Sequence, residues 1–318
     1  MVEIFLSNFA KNKLLMLQNI HIQNFRCFED FEASGFKRVN LIGGKNNSGK
    51  TCLLEGIQCI DRNLLSIAQQ RGQKSFLSFS NFNVNSSEIK IAFRSDKNYK
   101  TSIILPSGLS DSDYERKGDR VEMKIQYIKG EIHNPEFTVG EIIDKFQFLD
   151  PNPSIESLVE ILKIIEPKAE GLLSWGFPEY KLAITVSNQS ISINDFGDGL
   201  KYLLNYFISF IVKKQIGDIT ESILLIDEIE NGIHYSAHYD LWKNIFKLSQ
   251  ELNVQVFATT HSLEMITAFN EVAKEEGEGA YFEMFRNVED DKIKCIKHET
   301  DILEYELETK ENFRGEQL

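Results

Sequence analysis

Apolar positions along the chain predict strands that alternate with helices. The run 38–43 is short and apolar, and a helical repeat of apolar residues follows a polar loop. That repeat comprises Leu53, Leu54, Ile57, Ile60, Leu64, Leu65 and Ala68. Two more apolar runs, 223–226 and 254–260, predict buried strands separated by a helix. This alternation predicts a mainly parallel sheet, which binds ligands at the carboxyl ends of its strands.

A different pattern predicts antiparallel strands elsewhere in the N-terminal part. Residues 17–25 alternate between apolar and polar side chains, as a strand with one buried face does. Three further strand candidates, 88–94, 99–105 and 120–127, are separated by polar loops. Together the last three predict an antiparallel sheet attached to the parallel one.

The middle of the chain predicts smaller units. Ser154 is a candidate N-cap for a helix that runs to about residue 165, and 182–193 predicts a hairpin around Asn188 and Gln189. The predicted fold class is α/β, with a mainly parallel central sheet, an antiparallel β subdomain and a small helical insertion. The predicted domains are an N-terminal lobe at 1–128, the helical insertion at 129–185 and a C-terminal lobe at 186–318.

A glycine-rich loop follows the first buried strand. Gly44-x-x-x-x-Gly49-Lys50-Thr51 has the spacing of a phosphate-binding P-loop, and a strand and a helix flank it as that motif requires. Backbone N–H groups and the positive helix end would face a polyphosphate. A chance glycine turn explains the context less well. The residues predicted to bind a nucleoside triphosphate are Gly44, Asn46, Asn47, Ser48, Gly49, Lys50 and Thr51.

Carboxylates and a histidine end the two later strands. Asp227 and Glu228 follow the run 223–226, and His261 follows the run 254–260. Thr51 and Asp227 are predicted to hold Mg²⁺, Glu228 to act as general base, and Lys50 to reach the β- and γ-phosphates. The alternatives are two solvated acids at a strand end and a histidine with only a structural role.

The order and spacing of these motifs resemble an ABC-type P-loop ATPase of the RecF/SMC/OLD branch. Three segments carry the resemblance: Ile22-Gln-Asn-Phe-Arg-Cys-Phe28, Asp227-Glu-Ile-Glu-Asn-Gly-Ile-His234 and Thr259-Thr-His-Ser262. The resemblance implies a P-loop ATPase head in which His261 is the switch histidine. The turn with Gly197 and Gly199 would be a degenerate signature motif, closing the ATP site of a second copy.

The resemblance also bears on Arg26 and on nuclease activity. It implies that Arg26 lies near the nucleotide, although a surface ion pair explains this arginine nearly as well. The branch includes OLD nucleases, but about 55 residues follow His261, too few for their Toprim domain. We therefore expect an OLD-like ATPase without a Toprim domain, and the resemblance does not support a nuclease activity.

Charge and composition limit the partners. The net charge of −13 argues against a chain that coats nucleic acid, although residues 271–318 alone contribute −8, with 15 acidic and 7 basic side chains. The four cysteines show no paired spacing, which favours reduced thiols and a cytoplasmic protein. No apolar run is long enough to span a bilayer, so no membrane association is expected.

These observations predict a module that hydrolyses ATP with Mg²⁺ and dimerises through its ATP sites. We expect it to act with an effector protein in a separate chain, directed at nucleic acid or at anti-phage defence, with DNA or RNA as further partners. Two alternatives are the nucleotide-binding subunit of a membrane transporter and a non-catalytic scaffold that senses nucleoside triphosphates.

Overall fold

The computed structural model describes residues 16–58, 88–95, 100–106, 115–118, 124–128, 166–175, 181–192, 222–251 and 253–309, with Val159 and Lys163. The strands are β1 (Leu17–Phe25), β2 (Phe28–Ser34), β3 (Val39–Gly43), β4 (Glu88–Ser95), β5 (Lys100–Pro106), β6 (Glu115–Gly118), β7 (Lys124–Ile128), β8 (Ala169–Trp175), β9 (Lys181–Val186), β10 (Gln189–Ser192), β11 (Ser222–Ile226), β12 (Val254–Thr259), β13 (Gly279–Arg286) and β14 (Ile293–His298). The helices are α1 (Lys50–Gln58), α2 (His238–Glu251), α3 (Leu263–Glu276) and α4 (Thr300–Thr309), and a 3₁₀ turn spans Tyr235–Ala237.

The central sheet has the order β14-β13-β3-β12-β11-β7. All of its neighbouring strands are parallel except β14, which runs antiparallel to β13 at one edge. The strand that leads into the P-loop therefore lies inside the sheet, and β12 separates it from β11. Because the strands are parallel, the loops that follow β3, β12 and β11 leave the sheet at the same edge.

Two hydrophobic layers cover the two faces of this sheet. On one face, α1 and strand β1 pack over residues such as Leu225 and Phe257. On the other face, α2 and α3 pack over the alternate residues, such as Leu224 and Val256. Both faces of the strands are thus buried, which explains why β11 and β12 are continuous apolar runs rather than alternating ones.

A second sheet, with the order β2-β1-β4-β5-β6, is antiparallel throughout. The predicted strands 17–25, 88–94 and 99–105 belong to it. The prediction for 120–127 was wrong in its partner, because β7 pairs in parallel with β11 in the central sheet. The alternating pattern of residues 120–127 does not specify a partner strand. In the antiparallel sheet, the strand that pairs with β5 at the edge is β6.

A third sheet, with the order β10-β9-β8, is small and antiparallel. Strands β9 and β10 confirm the predicted hairpin, whose turn is formed by Ser187 and Asn188 with φ of 50° and 63°. The prediction of a helical insertion over 129–185 is corrected at its end, where β8 and most of β9 lie. Within the predicted helix at 154–165, Val159 is helical and its carbonyl accepts the Lys163 N–H at 3.0 Å.

Candidate functional site

The P-loop connects β3 to α1 and is shaped by its glycines. Gly44 and Gly49 have φ of +137° and +92°, a region that residues with a Cβ rarely adopt. A Cβ on Gly44 would collide with the Met284 carbonyl oxygen, and one on Gly49 would lie 3.0 Å from the Phe28 ring. Glycine is required at these two positions because their φ angles are positive and because β13 and the β1–β2 turn pack closely against the loop.

Lys50, the first residue of α1, lies over the P-loop. Its Nζ donates to the carbonyl oxygens of Gly44 at 2.7 Å and Lys45 at 2.9 Å. Burial lowers the pKa of the Lys50 ammonium, and the negative charge of Glu230 is the largest of the carboxylate effects that oppose this shift. The lysine is thus held at the loop with acidic groups facing it.

The other predicted P-loop residues surround the same turn. Asn46 and Asn47 are exposed, and Asn47 has φ of +64°. Ser48 is buried, and within the described part of the chain its Oγ has no hydrogen-bond partner. A buried hydroxyl without a partner is uncommon, and an oxygen-rich ligand in the loop would supply one.

Asp227 accepts hydrogen bonds from hydroxyl groups of two other elements, helix α1 and strand β12. Thr51 Oγ1 donates to its carboxylate, with distances of 3.1 and 3.3 Å to the two oxygens. Thr259 Oγ1, at the end of β12, donates to Asp227 Oδ1 at 2.6 Å. The structure therefore joins Thr51 and Asp227, the two predicted ligands of Mg²⁺, and adds Thr259 as a neighbour.

These groups fit a magnesium ion that also binds phosphates. Hydroxyl and carboxylate oxygens are the ligands that Mg²⁺ prefers, and it commonly takes only one or two carboxylates besides phosphate and water. Among the described residues there is no group of three or more His, Cys, Asp or Glu side chains that could hold a metal alone. The donor set favours a metal that is bound together with its nucleotide.

Glu228 adopts a backbone conformation that is unusual for its residue type. Its φ is +54°, and its N–H donates to Thr259 Oγ1 at 2.8 Å. The carboxylate oxygen Oε2 accepts from Asn231 Nδ2 at 2.8 Å. A non-glycine residue in the left-handed region costs free energy, so the surrounding contacts must stabilise this conformation. The hydrogen bond from Asn231 holds the Glu228 carboxylate in a defined direction.

His261 stands at the same edge, directly before α3. Its ring Nδ1 lies 3.0 Å from Glu230 Oε1, and its backbone N–H donates to that oxygen at 2.9 Å. The His261 side chain is 49% exposed, whereas Glu230 is 10% exposed. Ser262 Oγ accepts from the Met265 N–H and caps α3, which fixes where the helix begins.

Backbone hydrogen bonds connect the three loops. Ile229 N–H donates to the Thr259 carbonyl at 3.0 Å, and Thr260 N–H donates to the Ile42 carbonyl at 3.0 Å. The predicted residues Lys50, Thr51, Asp227, Glu228 and His261 therefore lie on one connected edge of the central sheet. No individual role was predicted from the sequence for Thr259, Glu230 and Asn231. The sequence signal that could have found them is their position next to the predicted site residues, at the ends of β11 and β12.

Arg26 lies in the turn between β1 and β2, next to the P-loop, with φ of +54°. Its Nη1 donates to Glu55 Oε2 of α1 at 2.9 Å, and both side chains are largely buried. The ion pair is thus real, but it is internal rather than on the surface, and a role at the nucleotide stays a prediction. Gly197 and Gly199 lie outside the described residues.

Two histidines that follow Asp227 in the sequence, His234 and His238, have structural contacts. His234 caps the 3₁₀ turn, where its Nδ1 accepts the Ser236 N–H at 3.3 Å. His238 is buried with Nε2 3.3 Å from the Ile233 carbonyl, and burial lowers its pKa.

Among the helices that the structure describes, none is long and apolar enough to cross a membrane.

Comparison with known proteins agrees with the geometry. The family model of the AAA ATPase domain matches residues 16–106 and 83–266. The chain is 23% identical over 380 residues to an ATP/GTP phosphatase of Helicobacter pylori, a match that covers 94% of this chain and 100% of that protein. It is 32% identical over 93 residues to the DNA replication and repair protein RecF of Cytophaga hutchinsonii, covering 27% of this chain and 25% of RecF.

Solved structures share the fold at low sequence identity. The SMC head domain of Thermotoga maritima has a TM-score of 0.54 and 12% identity, covering 90% of this chain and 100% of that one. An SMC head bound to the C-terminal winged-helix domain of ScpA has a TM-score of 0.62 and 11% identity, covering 90% and 99%. The recombination mediator protein RecF of the RecFOR pathway has a TM-score of 0.51 and 12% identity, covering 90% of this chain and 99% of that one.

The matched family covers both the P-loop and the later loops of the site. It spans β3 and α1, and it extends through Asp227 to His261. The chain belongs to the AAA ATPase domain family, as a P-loop ATPase with the fold of RecF and the SMC heads.

Proposed function

We propose that the loops after β3, β11 and β12 form the site at which this ATPase hydrolyses ATP. The observation that supports the proposal is the contact between Thr51 and Asp227, which are 176 residues apart in sequence. It joins the phosphate-binding loop to the acidic loop. His261 belongs to a third loop that is hydrogen-bonded to the acidic one.

Each residue has a role that follows from its chemistry. Lys50 and the P-loop N–H groups bind the β- and γ-phosphates, and Thr51 and Asp227 hold Mg²⁺. Mg²⁺, when bound, neutralises phosphate charge that the acids of this edge would otherwise repel. The His261 ring faces the γ-phosphate.

The reaction needs a base for the attacking water. The water oxygen forms a bond to the γ-phosphorus, and the bond from that phosphorus to the β–γ bridging oxygen breaks, with its electron pair leaving on ADP. Glu228 accepts the proton that the water loses. Asn231 and Thr259 hold Glu228 in the direction that this transfer requires.

Removing the Lys50 ammonium tests the phosphate site. Lys50→Ala is expected to weaken ATP binding at least about 10-fold, because a hydrogen bond to a charged group contributes about 1.5–3 kcal/mol. Calorimetric titration with ATP and Mg²⁺ measures this. Lys247→Ala removes an exposed ammonium from α2 and is the matched control, which is expected to bind like the wild type. Equal affinity of Lys50→Ala and wild type would refute the assignment.

The biological role is a further part of the proposal. Two copies would meet through their ATP sites, with the turn at Gly197 and Gly199 of one copy closing the site of the other. The cytoplasmic ATPase would then act on an effector in a separate chain, directed at nucleic acid or at anti-phage defence. The resemblance to the RecF/SMC/OLD branch supports this role over that of a transporter subunit or a non-catalytic scaffold.

A further inference from the structure

Glu230 links two loops of the site and has no role in the motifs described so far. It lies in the loop after β11, and its Oε1 accepts the backbone N–H of His261 at 2.9 Å. The same oxygen lies 3.0 Å from His261 Nδ1. One nearly buried carboxylate oxygen therefore accepts the backbone N–H of His261 and lies beside its ring.

This contact determines which ring nitrogen is available. A carboxylate oxygen 3.0 Å from Nδ1 favours a proton rather than a lone pair on that nitrogen, which leaves Nε2 for other partners. The His261 side chain is about half exposed, so its ring is open to a ligand. A carboxylate that fixes the tautomer and direction of a histidine in this way changes what the histidine can bind.

The second oxygen of Glu230 supports a functional reading. Oε2 is buried and has no hydrogen-bond partner among the described residues. A buried carboxylate oxygen without a partner costs free energy and is uncommon, so Glu230 calls for an explanation other than stability. The negative charge of Glu230 also raises the pKa of the Lys50 ammonium more than that of Asp227 or Glu228 does.

We propose that Glu230 is a positioning residue for ATP hydrolysis, which holds the His261 ring with Nε2 directed at the γ-phosphate. It rests on the proposed function, because it requires His261 to act on the nucleotide. Glu230 connects the loop that carries Asp227 and Glu228 to the segment that carries His261. Glu230 does not itself touch the reacting atoms.

Steady-state kinetics separate this role from a structural one. Glu230→Ala removes the acceptor and is expected to lower kcat about 10-fold or more, the scale measured for partners that orient a histidine. KM for ATP should change little, since the P-loop is intact. Glu230→Gln keeps an oxygen that can accept both N–H groups and should recover most of kcat. Glu271→Ala, an exposed acid on α3, is the matched control and should leave kcat unchanged.

A double variant tests whether Glu230 acts through His261. If it does, Glu230→Ala combined with His261→Ala should lower kcat no further than His261→Ala alone. Multiplied losses in the double variant would overturn the proposal, as would full kcat in folded Glu230→Ala.

A spectroscopic measurement separates this proposal from the ATPase assignment itself. In ¹⁵N-labelled protein, the His261 ring signals, assigned with His261→Gln, should show a protonated Nδ1 in the wild type and in Glu230→Gln. Glu230→Ala should lose that preference. Full kcat in His261→Ala, together with a protonated Nδ1 of His261 in the wild type, would refute the role of His261 in hydrolysis. It would leave the contact between Glu230 and His261 established. An unchanged tautomer in Glu230→Ala would refute the positioning role alone.

Discussion

Thr259 shows how one hydroxyl can organise the acidic loop of the candidate site. Its Oγ1 donates to Asp227 at 2.6 Å and accepts the Glu228 N–H at 2.8 Å, so it holds two adjacent acids in different ways. Sequence alone could predict Asp227 and Glu228, because an apolar run followed by two acids is a local pattern. It could not predict their contact with Thr259, because that contact depends on β11 and β12 being neighbours in the sheet.

Replacing Thr259 by valine tests this arrangement. Thr259→Val keeps the shape but leaves the half-buried Glu228 N–H without an acceptor, so we expect a loss of about 1–3 kcal/mol in the free energy of unfolding. Urea unfolding measures this loss, and ATPase assays at several Mg²⁺ concentrations should show a higher Mg²⁺ requirement. Thr259→Ser keeps the hydroxyl and should remain close to the wild type. A Thr259→Val protein with wild-type stability and Mg²⁺ dependence would contradict the account.

The elements of the parallel sheet illustrate what sequence patterns can and cannot predict. Strands β3, β11 and β12 were predicted because burial on both faces leaves continuous apolar runs. Strand β7 was assigned to the wrong sheet, since alternation marks one preferred face but not the strand that pairs with it. The elements that carry the chemistry were therefore easier to predict than those at the edge of the sheet.

Helix α3 has terminal signals whose contributions can be measured separately from catalysis. Gly277 ends the helix with φ of +73°, and a Cβ there would meet no atom within 4 Å. Gly277→Ala should therefore destabilise the fold by about 1–2 kcal/mol through backbone strain alone. Gly277→Asn should cost less, because asparagine tolerates this conformation.

Catalysis should not respond to this change. The helix spans Leu263–Glu276, and at 1.5 Å per residue its far end lies about 20 Å from His261. The kcat of folded Gly277→Ala is thus expected to equal that of the wild type, and thermal unfolding provides the stability measurement. If Gly277→Ala and Gly277→Asn are as stable to thermal unfolding as the wild type, the strain argument fails.

At the scale of the whole molecule, the described site has its chemistry on one side. In the proposed function, Lys50, Asp227 and Glu228 would approach the phosphates from the central sheet, and the proposed dimer would supply the opposite side through Gly197 and Gly199 of the second copy. A two-fold pair of this kind contains two equivalent sites, each built from both chains.

Mixing two inactive variants tests the shared site. Lys50→Ala damages the phosphate loop and Gly199→Arg would block the closing turn, so each homodimer lacks an intact site. A mixed dimer regains one complete site, and measurable phosphate release from the mixture is the expected result. If both variants fold and mixed dimers form, yet no activity returns, the shared-site proposal is wrong.

The central claim is that Glu228 is the base for ATP hydrolysis, and Glu228→Gln tests it most directly. The amide keeps the size of the side chain but cannot accept the proton, so ATP should bind with an affinity close to that of the wild type. Phosphate release in a single turnover should slow by about 100-fold or more. Glu289→Gln, in the exposed turn between β13 and β14, controls for loss of one charge. Wild-type turnover by Glu228→Gln would contradict the account.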